Sequence, residues 1–390
     1  MTTGPNESRY FKEEHEIFRR SLRSFIDREL SPHAEEWEEA ETFPNEVFKK
    51  MGQLGYLGAS FPVEHGGAGG DVWYNVVRAQ ELPYCRSGGV VTGLIVQSDA
   101  ATPIISKLGT PEQIEEFLKP ALAGDRISAI GVTEPDAGSD VAALRTTAKK
   151  DGGDYVINGS KTFITNGTRA DFITLAVKTN PDSKPPHMGI SFVLLPTDTK
   201  GFTVTRKLKK MGLKSSDTAE LAFDNCRIPQ RYLLGQEGQG FFYIMSSFLT
   251  ERLSICIGTV SAMKMVIADA IRYGEQRSVM GKVLTKYQYN RHRLAEMLTE
   301  AYAMEAMTLA ACRKYAAGQD PTLEVSMAKL IGGKQSHELA QRCMQFYGGY
   351  AYMEEFPIAR YYRDSKLMAI GGGAYEVMLL IISRLMDQLV

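Results

Sequence analysis

The chain has 390 residues, of which 44% are hydrophobic and 23% charged, and a formal net charge of -1. That length exceeds what one core normally covers, so two or three domains are expected, and near-neutrality removes any broad electrostatic pull toward nucleic acid or an anionic membrane while leaving small acidic ligands open. Five cysteines, Cys85, Cys226, Cys256, Cys312 and Cys343, form no CxxC pair, which argues against a disulfide scaffold or zinc ribbon and fits a reducing compartment.

The N-terminal stretch MTTGPNESRYFKEEHEIFRR lacks the apolar core of a secretory signal and the acid-poor composition of a transit peptide. No apolar run is read as approaching membrane-spanning length. The expectation is a cytoplasmic protein with no membrane partner, although a processed organellar enzyme would read the same way. To about Asp125, HEIFRRSLRSFIDREL and PEQIEEFLKPALAG carry helical spacing, EHGGAGGD interrupts it as a loop, and Thr110 before Pro111 predicts a capped helix start. From Ile127 to about Gln236, short β-branched runs alternate with turns. GDYVINGSKTFITNG predicts a hairpin turning at Asn158-Gly159, and ADFITLAVKT and GISFVLLP predict further strands. From Gly240 the pattern returns to helices, predicted over 241–276, 286–317, 322–346 and 367–388, the count of a four-helix bundle. The expected fold class is therefore α+β and multi-domain: an N-terminal helical domain over 1–126, a middle antiparallel β domain over 127–237 and a C-terminal four-helix bundle over 238–390.

Common catalytic signatures are missing. There is no GxGxxG, P-loop, GxSxG or HExxH, and the six histidines lie far apart, so no metal site is expected. One helical anomaly stands out. A turn of about 100° per residue gathers Met245, Phe248, Leu249, Leu253, Cys256, Val260, Met263 and Ile267 on one face, with Arg252 near its middle and Glu251 at its edge. A charge facing a core needs a partner or a ligand. From the pattern alone, a structural salt bridge to another helix is the simpler account. A second cluster, GVTEPDAGSD followed by SKTFITNG, supplies backbone donors, hydroxyls and the flat ring of Phe163. That inventory suits a planar heterocycle with polar edges, though from the residues alone ordinary turns and caps of a β domain are the simpler account.

Taken together and in order, these stretches resemble the acyl-CoA dehydrogenase family of flavoproteins over essentially the whole chain. GVTEPDAGSD is similar to the family's TEPGAGSD signature, SKTFITNG to KxWITNG, QRSVMGKVLTKYQ to RxxFGKxLxxFQ and MQFYGGYAYM to QxxGGxGY, while LGQEGQGF and ARYYRDSK match stretches that open the C-terminal domain and precede its last helix. The resemblance implies an FAD enzyme of fatty acid β-oxidation, a homotetramer, that converts an acyl-CoA to the trans-2-enoyl-CoA and passes electrons to electron-transfer flavoprotein. It implies that Ile130, Val132, Thr133, Gly138, Ser139, Phe163, Ile164 and Thr165 hold the flavin and that Arg277, Gln288, Gln345, Tyr347, Gly348 and Gly349 reach the FAD of a neighbouring subunit. Ala374, Tyr375 and Glu376 would lie beside FAD, and Ser139, Leu249, Arg252, Gly372 and Gly373 would meet the substrate.

The chemistry needs a carboxylate aimed at the proton α to the thioester carbonyl and donors for the developing enolate oxygen. In most of the family the carboxylate is the Glu of a C-terminal IYEGTSEI element. The matching residues here run from Ile370 to Val377 and put Gly372 at the catalytic position and Glu376 at the second, non-catalytic acid. A minority branch, including isovaleryl-CoA and long-chain acyl-CoA dehydrogenases, carries its base in an ER pair on the first bundle helix, and Glu251-Arg252 matches that pair. By the resemblance Glu251 is the base, and the N–H of Gly372 donates to the thioester oxygen. Asp136, Phe163, Met280, Ala374 and Leu249 depart from the family pattern; Leu249 stands where many relatives carry an Asp that contacts CoA. A flavin oxidase or monooxygenase on the same fold is the alternative activity. A nucleic-acid-binding relative, resting on the basic stretch TRKLKKMGLKS, has less support.

Overall fold

The computed structural model describes residues 10–388; residues 1–9, 389 and 390, which the N-terminal reading and the outer domain limits include, lie outside the described residues. The helical first third contains α1 (Glu13–Phe25), α2 (Val72–Glu81) and α3 (Gly88–Ile95). Its apolar faces meet in a core that includes Leu22, Phe25, Ile26, Trp37, Phe43 and Phe48. The predicted start at Thr110 is a full capping box, in which Thr110 accepts from the Gln113 N–H and Gln113 reaches back to the Thr110 N–H.

The middle of the chain is a sheet of β1 (Ser128–Gly131), β2 (Thr147–Asp151), β3 (Asp154–Thr165), β4 (Phe172–Lys178), β5 (Ile190–Pro196), β6 (Phe202–Lys207), β7 (Thr218–Pro229) and β8 (Leu233–Leu234). Its order is β6-β7-β3-β2-β4-β5-β8, with β1 set parallel beside β4. The pairs are antiparallel apart from β1–β4 and a single β2–β4 contact. The hairpin expected at Asn158-Gly159 is not there. The chain reverses at Gly152-Gly153, pairing Asp151 with Asp154, and β3 runs straight through Asn158. Gly159 instead marks a bulge against β7 where Thr146 crosses closely: a Cβ at Gly159 would sit 2.5 Å from the Thr146 hydroxyl oxygen.

The last third contains α4 (Gly240–Gln276), α5 (Gln288–Ala316), α6 (Thr322–Tyr347), α7 (Pro357–Ser365) and α8 (Tyr375–Arg384), with the small hairpin β9 (Ser278–Val279) and β10 (Lys282–Val283) between α4 and α5. Cys256, Val260, Met263 and Ile267 of α4 pack with Leu294, Met297, Met304 and Leu339 as the bundle core. The helix predicted over 367–388 is broken. A tight turn at Lys366–Ala369 and the glycine run separate α7 from α8, because Gly372 and Gly373 take left-handed backbone at φ 66° and 106°. The expectation that no run reaches membrane-spanning length also fails on composition. A window of α4 has mean hydropathy 1.6, yet 67% of it is buried inside the fold, as befits the central helix of a bundle.

Candidate active site

Sheet, helices α3 and α4 and the glycine run enclose a cavity of 1440 Å³. That exceeds the ~300–1,000 Å³ of an ordinary small-ligand pocket, so a cofactor and a substrate fit together. One wall comes from the sheet. Beyond β1 the chain turns back at Glu134–Ala137, whose ends exchange backbone hydrogen bonds of 3.0 and 3.1 Å. Glu134 is buried beneath this turn and accepts from the N–H groups of Arg145 (2.5 Å) and Thr146 (2.9 Å) and from Lys161 Nζ (2.8 Å), which also donates to the Val132 carbonyl at 2.9 Å. Lys161 is 1% exposed. Burial pushes its ammonium down to about 8, while Glu134, which burial alone would raise, is held below its ordinary value by Lys161 and those donors. The turn that carries Thr133, Gly138 and Ser139 is thereby fixed from below.

Beside it the pairing of β3 with β7 slips between Lys161 and Ile164, and Phe163 adopts φ 60° with 67% of its surface exposed. A bulky residue in that region is strained, and the bulge is what turns its ring out of the sheet and onto the cavity. The hydroxyls of Thr133, Ser139 and Thr165 border the same space and make no side-chain hydrogen bond among the described residues. A Cβ at Gly138 would meet only the Thr133 methyl, at 4.0 Å. An exposed ring, three free hydroxyls and open backbone are what a flavin's flat face and polar edge require, so the residues present fit FAD. Asp136 points away from the cavity toward Arg145, at 3.3 Å.

The opposite wall carries charge. Glu251, on α4, borders the cavity with no hydrogen-bond partner among the described residues. Burial raises its carboxyl above the ordinary carboxylate range, Arg252 and Lys329 pull it back, and Asp99 adds to the rise. Arg252 is 6% exposed; its Nε donates to the Gly372 carbonyl at 2.8 Å and its guanidinium lies 5.7 Å from the Phe248 ring centroid. Its partner is thus a backbone carbonyl of the glycine run, not the carboxylate on another helix that the sequence pattern suggested. The N–H groups of Gly372 and Gly373 make no hydrogen bond among the described residues. A Cβ placed on Gly372 would lie 3.9 Å from Glu251 Oε1. An acid at either position would therefore reach into the same volume.

Of the residues expected in the site, Ile130, Val132, Thr133, Gly138, Ser139, Phe163, Ile164, Thr165, Glu251, Arg252, Gly372, Gly373 and Ala374 border this cavity. Leu249 does not; it packs against the cluster that holds Leu253, Ile257 and Leu309, off the cavity wall. Glu376 is exposed on the first turn of α8, and neither it nor Tyr375 borders the cavity. Arg277, Gln288, Gln345, Gly348 and Gly349 are also away from it, whereas Tyr347, expected with them, lines this chain's own cavity and stacks on Tyr273 at 4.3 Å. Two groups were passed over in the sequence. Lys329 is 3% exposed inside α6, and it carries the signal that exposed Arg252, a cation on a helix face otherwise made of Val325, Ala328, Gly332 and Ser336. Asp99 sits in Val96–Ala101, bound by Arg78 at 2.8 and 2.9 Å and by the Ser254 hydroxyl at 3.0 Å, which ties the N-terminal helices to α4 one turn from Glu251.

Comparison with known proteins gives matches along the whole chain. Three family models match in order: acyl-CoA dehydrogenase, N-terminal domain, over residues 12–125, middle domain over 129–226 and C-terminal domain over 238–386. The mitochondrial long-chain specific acyl-CoA dehydrogenase of Mus musculus is 40% identical over 96% of this chain and 87% of its own length. The crystal structure of an acyl-CoA dehydrogenase from Geobacillus kaustophilus is 42% identical, with a TM-score of 0.94 over 97% of this chain and 99% of that one. A glutaryl-CoA dehydrogenase from Mycobacterium smegmatis in complex with FADH2 is 31% identical, with a TM-score of 0.91 over 98% and 97% of the two chains.

Proposed function

Because the chain belongs to the acyl-CoA dehydrogenase family, FAD-dependent oxidoreductases that dehydrogenate acyl-CoA thioesters, we propose that it forms a trans-2-enoyl-CoA with Glu251 as the base that removes the α-proton. The observation that carries this reading is the meeting of Glu251 with Gly372. The acid missing from the glycine run is replaced, in the same volume, by one from α4. Partial burial leaves the Glu251 carboxylate poorly solvated and without a hydrogen-bond partner, which makes it a stronger base than a carboxylate in water. The N–H groups of Gly372 and Gly373, without an acceptor among the described residues, would serve as donors for the thioester oxygen as it gains negative charge. Arg252 holds the carbonyl of that same peptide run, so the donors and the base are fixed to one another.

Bound FAD would supply the acceptor for the hydride leaving the β carbon, held by Thr133, Ser139, Phe163 and Thr165. The positions of Arg277, Gln288, Gln345, Gly348 and Gly349 away from the cavity support the reading that they serve a neighbouring subunit in a homotetramer, and the electrons would pass on to electron-transfer flavoprotein. The acyl group is a long one on the same reading. Cavity-lining residues follow α4 from Glu251 through Ile255, Gly258 and Ala262 to Met265, a run of about 21 Å at ~1.5 Å per residue.

Anaerobic mixing with a panel of saturated acyl-CoA esters is the test. Bleaching of the flavin by long-chain esters is expected, and failure of every ester to bleach it would refute the proposal. Fast reoxidation of the reduced enzyme by air with peroxide release would favour an oxidase instead.

A further inference from the structure

Lys329 stands where its charge is hard to explain as architecture. Its Nζ donates to the Met368 carbonyl at 2.5 Å and to the Gly373 carbonyl at 3.4 Å, and no carboxylate lies within ion-pair distance among the described residues. A neutral donor could make both contacts without the large desolvation penalty of a buried ammonium. The turn it grips is already seated on the same helix one turn further along. There Gly333 lets the Met368 carbonyl and the Ala369 backbone approach to within 2.9–3.0 Å of where a Cβ would be. Lys329 also reaches the reacting end of the turn, with its Cε 3.6 Å from a Cβ placed on Gly372.

We propose that Lys329 is a positioning residue for the reaction, spanning the turn 368–373 so that the Gly372 peptide faces the substrate and holding a positive charge behind Glu251. This rests on Glu251 being the base. The charged and titratable groups around that carboxyl are Arg252 on its own helix, Lys329 on α6 and Asp99 on the segment after α3, with the Cys256 thiol facing Lys329. Asp99 disfavours the ionised base and the two cations favour it. Arg252 is committed to the Gly372 carbonyl. Lys329 is then the cation whose removal leaves that hydrogen bond in place.

Three substitutions separate charge from grip. Lys329→Gln keeps a donor and loses the charge, Lys329→Arg keeps the charge, and Lys329→Met loses both. The carboxyl stretch of Glu251, identified as the infrared band that Glu251→Gln removes, is titrated in each variant without substrate, alongside the pH profile of anaerobic flavin reduction. In Lys329→Gln and Lys329→Met both midpoints should rise by about one unit, the lower end of what an opposite charge at this range imposes, and Lys329→Arg should restore them. Midpoints that stay put in Lys329→Gln, with only thermal stability lowered, would overturn the proposal and leave Lys329 a structural strut. Should Lys329→Met fail to fold, the Gln and Arg pair decides alone. Bleaching that survives Glu251→Gln would overturn the base assignment itself, a result that the Lys329 variants cannot mimic.

Discussion

The lysines behind the two cavity walls were buried by the same fold and put to opposite use. Lys161 meets Glu134 at 2.8 Å, and that carboxylate is in turn satisfied by two backbone N–H groups, so the charges cancel within the wall and what remains is a rigid turn. Lys329 meets only carbonyls; burial pushes its ammonium down, while the Cys256 thiol and then the Glu251 carboxyl favour its charge. A buried ion pair closed on itself stiffens its surroundings, while a buried cation left open sets the electrostatics of the space in front of it. On the base side the acid and its arginine were read from the sequence; the lysine behind them was not.

The comparison is broken first at the base. Glu251→Gln should slow flavin reduction by at least the ~10²–10⁴-fold typical of a general base, with FAD still bound, as stopped-flow absorbance will show. An equal loss in Lys161→Met would mean that the two walls are not distinct in function. Stability should rank the lysines the other way. Lys161→Met strands Glu134 without its partner and should cost about 3–5 kcal/mol in urea unfolding, whereas Lys329→Met strands carbonyls only and should cost about 1–3 kcal/mol.

Titration sharpens the contrast further. Burial raises Glu251 above its unfolded value, and in the proposed mechanism its ionised form is the base. Flavin reduction should therefore quicken as pH rises through that raised value. The folded state binds this proton more tightly than the unfolded chain, so the group's contribution to stability is full at low pH and fades over the same rise. Asp364, on the cavity margin, gives a cleaner case. Burial and then the Glu38 charge push it up to about 7 from an ordinary 3.8. Its contribution should be complete below about pH 4 and gone above about 7, and Asp364→Asn should flatten thermal stability across that window. The smallest effect belongs to Gly372→Ala. Left-handed backbone with a Cβ costs about 1–2 kcal/mol, and the new methyl meets the movable end of Ile255 at 2.9 Å. Activity should fall far less than in Glu251→Gln.

Much of this was legible in the residues. The capped start at Thr110 and the three long helices of the bundle follow from local rules of capping and periodicity, whereas the cavity position of Thr133, Gly138, Ser139, Phe163, Ile164 and Thr165 was implied only by the family resemblance. Two kinds of feature were hidden. Asn158-Gly159 reads as a hairpin by its dipeptide alone, but the reason for the glycine is Thr146, a neighbour across the sheet that no local pattern displays. The apolar stripe of α4 reads as one face toward one core. The fold divides it, with Phe248 on the cavity, Leu253 among the N-terminal helices and Cys256 in the bundle. Arg252 was flagged by that stripe, yet its partner, a carbonyl 120 residues away, could come only from the packing.

The left-handed backbone at Gly372 limits where an acid can be put. Gly372→Glu would place a side chain on strained backbone, against Ile255, and bring a second carboxyl into the volume Glu251 already fills. Two carboxylates so close cannot both ionise, so the pair would share one proton and titrate as a unit rather than as two independent bases. The two locations for the acid thus compete for one volume, and moving the acid to the loop would call for the loss of Glu251 at the same time.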